Sequence, residues 1–173
     1  GAYGYLRVTL ERYMMERIRM RLTEELTLAQ MIIEKSLPEQ MTYETVDPLA
    51  DALGTRLNLR VTIIDHKGTV LGDSYLEPAM LPTIENHVGR PEIRQAFQGG
   101  AGEKIRFSTT IKDRLLYMAR ACDIHGTPVV IRFALPLSEV ELVHKRIRNA
   151  LVHVLLGSIV IGIVFSLIAS AIL

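Results

Sequence analysis

The sequence has one cysteine, Cys122, and no tryptophan among its 173 residues. One cysteine excludes an intrachain disulfide framework and a zinc site built from several cysteines. Cys122 lies within a predicted strand, where we expect a small, half-buried apolar side chain rather than a redox sensor. The formal net charge is only +1. No nucleic-acid partner is predicted, because such binding needs a basic surplus.

Sequence motifs for catalysis and metal binding are also missing. Ser74, Ser108 and Ser138 each lack a Gly-x-Ser-x-Gly elbow. The glycine-rich segment 98–102 precedes a predicted strand and lacks the Lys-Ser or Lys-Thr of a phosphate-binding loop. No zinc or EF-hand spacing is found among the loop carboxylates and imidazoles, which are Asp65, His66, Asp73, Glu85 and His87. We therefore predict no catalytic residue, no metal and no cofactor in this chain.

Charge is absent from the last 23 residues, 151–173, although 49% of the whole sequence is hydrophobic and 23% is charged. A membrane-spanning helix needs about 20 apolar residues, and this segment would reach roughly 34 Å as a helix. The segment is therefore predicted to be a transmembrane helix. Lys145, Arg146 and Arg148 precede it and, taken alone, would place residues 1–150 on the cytoplasmic side.

Small residues recur every fourth position in this predicted span. They form one row on a helix and comprise Ser158, Gly162, Ser166 and Ser170. Rows of small side chains let two helices approach closely in lipid, so the row is predicted to be a transmembrane dimer face. The alternative is coincidence, since the span also contains other small residues.

A long helix is predicted over residues 5–37, because apolar residues fall at helical spacing until Pro38. Such a helix can lie on its own domain or form a stalk that pairs with a second copy. We leave both interpretations open for different stretches. Asp47 before Pro48 is the pattern of a helix N-cap, so a short helix is predicted to begin there.

The rest of the domain reads as an antiparallel sheet. Strands are predicted over residues 59–64, 69–72, 104–109, 115–124 and 128–135, with a short helix at 91–97. Most connections are too short for parallel crossovers. The predicted fold class is therefore α+β, a five-stranded antiparallel sheet with helices.

Several segments resemble a PAS-like, single-Cache-like sensor domain. These are the hairpin at 60–74, the segment from Asn86-His87 to Arg90-Pro91-Glu92, the string Arg106-Phe107-Ser108, the string Tyr117-Met118-Ala119, and the closing segment 131–136. The set is similar to extracytoplasmic sensor domains of bacterial histidine kinases of the phosphate-regulon and cell-wall-sensor type. The likeness covers residues 47–173, and its most specific part runs from Asn86 to Glu92.

The resemblance implies four parts: a long helix and linker at 1–46, the sensor at 47–137, a juxtamembrane helix at 138–150 and the span at 151–173. It implies a homodimer in the inner membrane, with residues 1–150 extracytoplasmic despite the basic flank. We expect the chain to be a fragment of a longer kinase, whose missing module would use ATP and magnesium and act on a cytoplasmic response regulator. His144 lacks the motif of a phospho-accepting histidine, and neither a first span nor a kinase module is present.

The resemblance implies that a small anionic ligand lies between the concave sheet face and the helical insertion, the segment that precedes strand 104–109. The predicted ligand-binding residues are Tyr117, Arg90, His87 and Arg94. In the alternative interpretation Arg90 caps backbone carbonyls, Tyr117 belongs to the core, and a protein partner outside the membrane is the signal. The same sensor could also serve a chemoreceptor or a cyclic-dinucleotide enzyme, and a tail-anchored structural adaptor is the remaining alternative.

Overall fold

The computed structural model describes residues 2–108, 112–138 and 149–163. It divides into two compact units, Gly1–Leu135 and Pro136–Leu173, and each is described by itself. The elements of the chain are α1 (Ala2–Ser36), α2 (Tyr43–Leu57), β1 (Arg60–Asp65), β2 (Val70–Asp73), a 3₁₀ helix (Pro78–Thr83), α3 (Pro91–Gly99), β3 (Ala101–Ser108), β4 (Asp113–Ile124) and β5 (Thr127–Pro136).

The sheet has five strands in the order β2-β1-β5-β4-β3. The pairs β1–β2, β1–β5 and β3–β4 are antiparallel. His125 and Gly126 connect β4 to β5 with φ values of 51° and 84°, which suit the tight hairpin turns that match strand twist. The predicted α+β class with a five-stranded antiparallel sheet is confirmed.

The first helix, α1, has two different halves. Its second half and the following residue bury Leu22, Leu26, Ala29, Ile33 and Leu37 at helical spacing. Arg120 of β4 donates from Nε to Gln30 Oε1 at 2.6 Å, so this half lies on the sheet. Its first half is exposed at Tyr5 and Tyr13. The prediction that α1 lies on its own domain is confirmed for the second half, and the dimer stalk stays a prediction.

The predicted N-cap at Asp47 is wrong, because α2 begins one turn earlier at Tyr43. Thr42 and Thr45 form a capping box that satisfies the first amides of the helix. Pro48 lies inside the helix. Asp47 is buried and its Oδ1 accepts from the backbone N–H of Asp73 at 2.9 Å. The carboxylate of Asp47 therefore accepts a tertiary hydrogen bond instead of capping the helix, which is the role that the sequence pattern predicts.

In the second unit, residues 149–163 are helical and most of their large apolar side chains are exposed. Among the residues that the structure describes, no helix combines the length and the hydropathy needed to cross a membrane. Ser158 and Gly162 lie in the described helix, whereas Ser166 and Ser170, like residues 139–148, lie outside the described residues. The span 151–173 and its dimer face stay predictions.

Candidate functional site

One face of the sheet is covered by α3 and the 3₁₀ helix. Ala119 of β4 and Val130 of β5 pack there in one apolar cluster with Ile93 of α3. Because strand side chains alternate between faces, Tyr117 and Arg132, each two residues away, point to this same face. The face of the sheet on which the sequence predicts a ligand is therefore the face that α3 and the 3₁₀ helix cover, and ligand binding there stays a prediction.

Two guanidinium groups lie against the ring of Tyr117. Arg106 Cζ is 4.0 Å from the ring centroid and Arg132 Cζ is 5.1 Å from it. Lys104 of β3 pairs with Tyr117 of β4, which places Arg106 diagonally beside the ring. Cations over an aromatic face are stabilised by the ring quadrupole. Strand register, rather than proximity in sequence, therefore assembles this group.

Glu92 supplies the carboxylate of the cluster from the first turn of α3. Its Oε1 lies 3.4 Å from Arg106 Nη2 and 3.6 Å from Arg132 Nη1. Glu92 is 0% exposed and Arg132 is 2% exposed. Burial lowers the pKa of Arg132 to about 10, against the opposing effect of Glu92, so Arg132 is still a cation at neutral pH.

Hydrogen bonding in this cluster is incomplete. Among the described residues, Glu92 Oε2, Arg106 Nε and Arg132 Nε and Nη1 are buried and have no hydrogen-bond partner. Buried polar groups are normally paired, and unpaired ones in a native fold call for a specific explanation. The cluster thus presents surplus N–H donors beside an aromatic ring, which is a suitable arrangement for receiving an anion.

A chain of hydrogen bonds holds Arg132 in place. Its Nη2 donates to Thr62 Oγ1 at 3.0 Å, and Thr62 Oγ1 donates to Asp73 Oδ2 at 2.8 Å. Asp73 also accepts from Arg60 Nε through both carboxylate oxygens, at 2.9 and 3.1 Å. Thr62 lies opposite Arg132 in the β1–β5 register. The orientation of the guanidinium is therefore fixed by β1, the neighbouring strand, and through it by β2.

His87 borders the cluster as a buried neutral side chain. Its Nδ1 lies 2.6 Å from the carbonyl oxygen of Glu85, so the proton of the ring lies on Nδ1. Burial, followed by the charge of Arg132, lowers the pKa of His87 to about 4, although the Glu85 carbonyl acts in the opposite direction. The structure brings His87 and Tyr117 to the same cationic cluster. Their ligand-binding role stays a prediction.

Arg90 and Arg94 have surface positions. Arg90 is the residue before α3 and pairs at 3.1 Å with Glu85, whose side chain is 80% exposed. Arg94 is exposed on α3. Among the described residues, the guanidiniums that lie over the ring of Tyr117 are those of Arg106 and Arg132 and not those of Arg90 and Arg94, so the structure does not bring all four predicted residues together.

The segment that begins at Asn86 fastens the insertion to the β1–β2 turn. Asn86 Nδ2 donates to the carbonyl of Lys67 at 2.8 Å, and the N–H of His87 donates to the carbonyl of Gly68 at 2.8 Å. Asn86 Oδ1 accepts from the N–H of Val88. In the segment from Asn86 to Glu92, the most specific part of the resemblance, Asn86 therefore has a structural role. Glu92 is the residue of this segment that brings a buried carboxylate to the cluster.

Sequence reasoning missed Glu92, Arg106 and Arg132 as site residues. Arg132 is the one charged residue in the apolar run 129–135, and a charge within a buried strand is a recognisable signal of function or pairing. Glu92 looked ordinary because acidic residues are common in the first turn of a helix. Arg106 gave no comparable signal.

Other features lie away from this cluster. A cavity of about 310 Å³ is lined by α1, α3, β3 and β4, including Leu26, Gly102 and Met118. Cys122 is buried, and this burial raises the pKa of its thiol to about 12. Within the described ranges, no three His, Cys, Asp or Glu side chains are grouped so that they could hold a metal ion.

No family model and no curated protein matches the chain, but solved structures do. The ligand-binding domain of the Campylobacter jejuni chemoreceptor Tlp3, in complex with 4-methylisoleucine, is 16% identical with a TM-score of 0.56, covering 72% of this chain and 54% of that one. The E. coli DcuS sensor domain is 15% identical with a TM-score of 0.54, covering 72% and 95%. The sensor domain of the V. cholerae histidine kinase DctB is 16% identical with a TM-score of 0.50, covering 68% and 45%.

These comparisons concern the fold. The chain spans about half the length of the chemoreceptor domain and nearly all of the DcuS domain. Its neighbours include sensor domains from both a chemoreceptor and a histidine kinase, so the likeness favours neither output. The chain has the PAS/Cache-like fold of bacterial sensor domains.

Proposed function

We propose that residues 1–150 form an extracytoplasmic sensor for a small anionic ligand, held by Arg106, Arg132 and Tyr117. The observation that carries this proposal is the buried, incompletely hydrogen-bonded guanidinium of Arg132 on the sheet face that α3 covers. A solved sensor domain of this fold is in complex with a small ligand, 4-methylisoleucine, which supports a small-molecule site.

The ligand class follows from charge. Two guanidiniums face a single carboxylate in the cluster, and His87 is neutral at physiological pH. A buried cation without sufficient partners carries a large desolvation cost. An anion with two or more acceptor oxygens reduces this cost through charge-assisted hydrogen bonds. Carboxylates, amino acids and inorganic phosphate are therefore the candidates.

The binding proposal is tested by thermal unfolding of the 173-residue chain in detergent micelles, with and without a panel of these anions. A ligand at 100 times its Kd stabilises the folded state by about 2.7 kcal/mol. We expect at least one anion to raise the Tm, and Arg132→Gln to abolish the increase. Arg94→Gln is the matched control, since Arg94 is exposed, and should retain it. No increase with any anion, or an equal increase in Arg132→Gln, contradicts the proposal.

For the output, we propose a dimeric sensor histidine kinase of the inner membrane. The span 151–173 would connect the sensor to a cytoplasmic module that uses ATP and magnesium and phosphorylates a response regulator. The sequence resemblance and the likeness to the DctB sensor domain support this. A chemoreceptor is the alternative that the Tlp3 likeness supports. The reading frame beyond Leu173 separates them, since a histidine box or a methylation-helix bundle would follow.

The proposed orientation is tested by cysteine labelling. Glu39 is exposed, whereas the native Cys122 is buried, so Glu39→Cys gives one accessible thiol. A membrane-impermeant maleimide added to intact spheroplasts should label Glu39→Cys, and the unsubstituted chain is the background control. Labelling only after lysis would place the domain in the cytoplasm and favour the tail-anchored adaptor.

A further inference from the structure

We propose that Glu92 is a built-in counterion that occupies the anion site of Arg106 and Arg132, and that a small external carboxylate binds there in competition with it. The inference rests on the proposed function and adds to it: the sensor carries its own competing carboxylate, and the signal is a molecule that presents the same group.

The first argument compares two buried carboxylates of the same domain. Asp73 accepts from Arg60 at 2.9 and 3.1 Å, from Thr62 at 2.8 Å and from the N–H of Tyr75 at 3.0 Å. Glu92 has one oxygen at 3.4 and 3.6 Å from two guanidiniums, and its other oxygen has no partner among the described residues. Asp73 has the complete shell of a structural ion pair, whereas Glu92 does not.

The second argument concerns the donors that Glu92 leaves unused. Arg132 is a fully charged group at neutral pH and nine-tenths or more buried, yet its Nε and Nη1 have no hydrogen-bond partner among the described residues. Charge-assisted N–H···O bonds normally measure about 2.7–2.9 Å. A carboxylate on a free small molecule can reach these hydrogen-bond lengths, whereas the carboxylate of Glu92 is restricted by its attachment to α3.

The third argument explains why Glu92 is restrained. The backbone of α3 packs closely on β3 at Gly102, where an added Cβ would clash with the carbonyl oxygen of Glu92. The start of the helix is therefore fixed against the sheet, and only the side-chain torsions of Glu92 remain to aim the carboxylate. The carboxylate accepts one long hydrogen bond, from Arg106 Nη2 at 3.4 Å, and lies 3.6 Å from Arg132 Nη1, which makes it a tethered competitor rather than a full partner.

The test is chemical rescue of Glu92→Ala, which removes a group of about the size of acetate. Thermal unfolding of the full chain in micelles is followed during titration with sodium acetate, with sodium chloride at the same ionic strength as the reference. We expect Glu92→Ala to have a lower Tm than the unsubstituted chain in chloride and to recover saturably in acetate. A tethered carboxylate competes at a millimolar or higher effective concentration. Half-maximal recovery should therefore need at least about tenfold less acetate than the unsubstituted chain requires.

The matched control is Glu85→Ala. Glu85 lies only seven residues before Glu92 in the sequence, and its carboxylate belongs to an exposed ion pair with Arg90. The Tm of this variant should respond to acetate as the unsubstituted chain does. An equal response in Glu92→Ala and Glu85→Ala overturns the inference. If Glu92→Ala does not fold, Glu92→Asp keeps the charge but shortens its reach; it should bind acetate more tightly than the unsubstituted chain, and equal affinity overturns the inference.

Failure of this inference is distinguishable from failure of the proposed function. If the unsubstituted chain binds a member of the anion panel but Glu92→Ala gains no acetate affinity, the competition by Glu92 is wrong and the sensor proposal stands. If Glu92→Ala recruits acetate but the unsubstituted chain binds no anion of the panel, the sensor proposal and the competition are both wrong, and only the occupancy of the anion site by Glu92 stands.

Discussion

Replacing Thr62 by valine tests whether strands β1 and β2 hold Arg132 in the site. The substitution keeps the branched shape but removes the hydroxyl that accepts from Arg132 Nη2 at 3.0 Å and donates to Asp73 Oδ2 at 2.8 Å. Thr62 is 1% exposed, so water does not readily replace the lost group. Asp73 keeps its bonds to Arg60 and Tyr75, and most of the cost therefore falls on Arg132.

The size of the effect can be worked from these contacts. A hydrogen bond to a charged group contributes about 1.5–3 kcal/mol, and a buried donor left without a partner costs about 1–3 kcal/mol. Both values describe in part the same loss at Arg132 Nη2 and are therefore not added in full. We expect Thr62→Val to lower the free energy of unfolding by about 2–4 kcal/mol. Because the proposed anion site uses Arg132 in this orientation, the anion-induced increase in Tm also falls.

The measurement is urea unfolding followed by far-UV circular dichroism, because the chain has no tryptophan. Thr23→Val is the matched control: its hydroxyl donates to the carbonyl of Arg19 on the exposed surface of α1, and its loss should stay within about 0.5 kcal/mol. If Thr62→Val changes the free energy of unfolding by no more than this control, the hydrogen-bond chain to Arg132 does not operate as described.

Three further outcomes are expected. His87 has a folded pKa of about 4 against an ordinary 6.5. The unfolded chain therefore binds this proton first, and stability falls as the pH drops from 6.5 towards 4. By pH 5 His87→Gln should abolish about 1–2 kcal/mol of that loss, and an unchanged pH profile argues against a buried neutral imidazole. Gly102→Ala should destabilise by about 1–3 kcal/mol in urea unfolding because its Cβ meets the backbone of Glu92, while Gly99→Ala, which meets nothing, should be near neutral. Cys122, with its pKa raised to about 12, should resist iodoacetamide at pH 8 until urea is added, and rapid labelling of the folded chain would contradict its burial.

Local signals in the sequence were sufficient for most of the fold. Five strands were predicted within a few residues of their observed bounds, because the β-branched runs and the glycine turns between them act locally. Pro91 and the Gly99-Gly100 pair likewise predicted α3, which the structure places at Pro91–Gly99. The start of α2 was mispredicted because Asp47 has a partner 26 residues away, and no local pattern records such a pairing.

The candidate site was less accessible to sequence reasoning for the same physical reason. Glu92, Arg106 and Arg132 are separated by 14 and 26 positions in the sequence. They meet only because β3, β4 and β5 lie side by side in one sheet while α3 packs against it. Tyr117 was among the predicted ligand-binding residues. Its guanidinium neighbours depended on strand order, which the hairpins alone do not determine.

The two buried carboxylates of the domain differ in how completely they are paired, and the proposed anion site depends on this difference. Asp73 accepts hydrogen bonds from Arg60 and Thr62, and through Thr62 it orients Arg132. Glu92 reaches the cluster from α3, lies 3.6 Å from Arg132 Nη1 and accepts one long hydrogen bond, from Arg106 Nη2 at 3.4 Å. If Asp73 were as loosely paired as Glu92, Arg132 would have no fixed position. If Glu92 were as fully paired as Asp73, no donor would remain for a ligand. A rigid anchor on one side and an unfinished ion pair on the other is the combination that a reversible anion site requires.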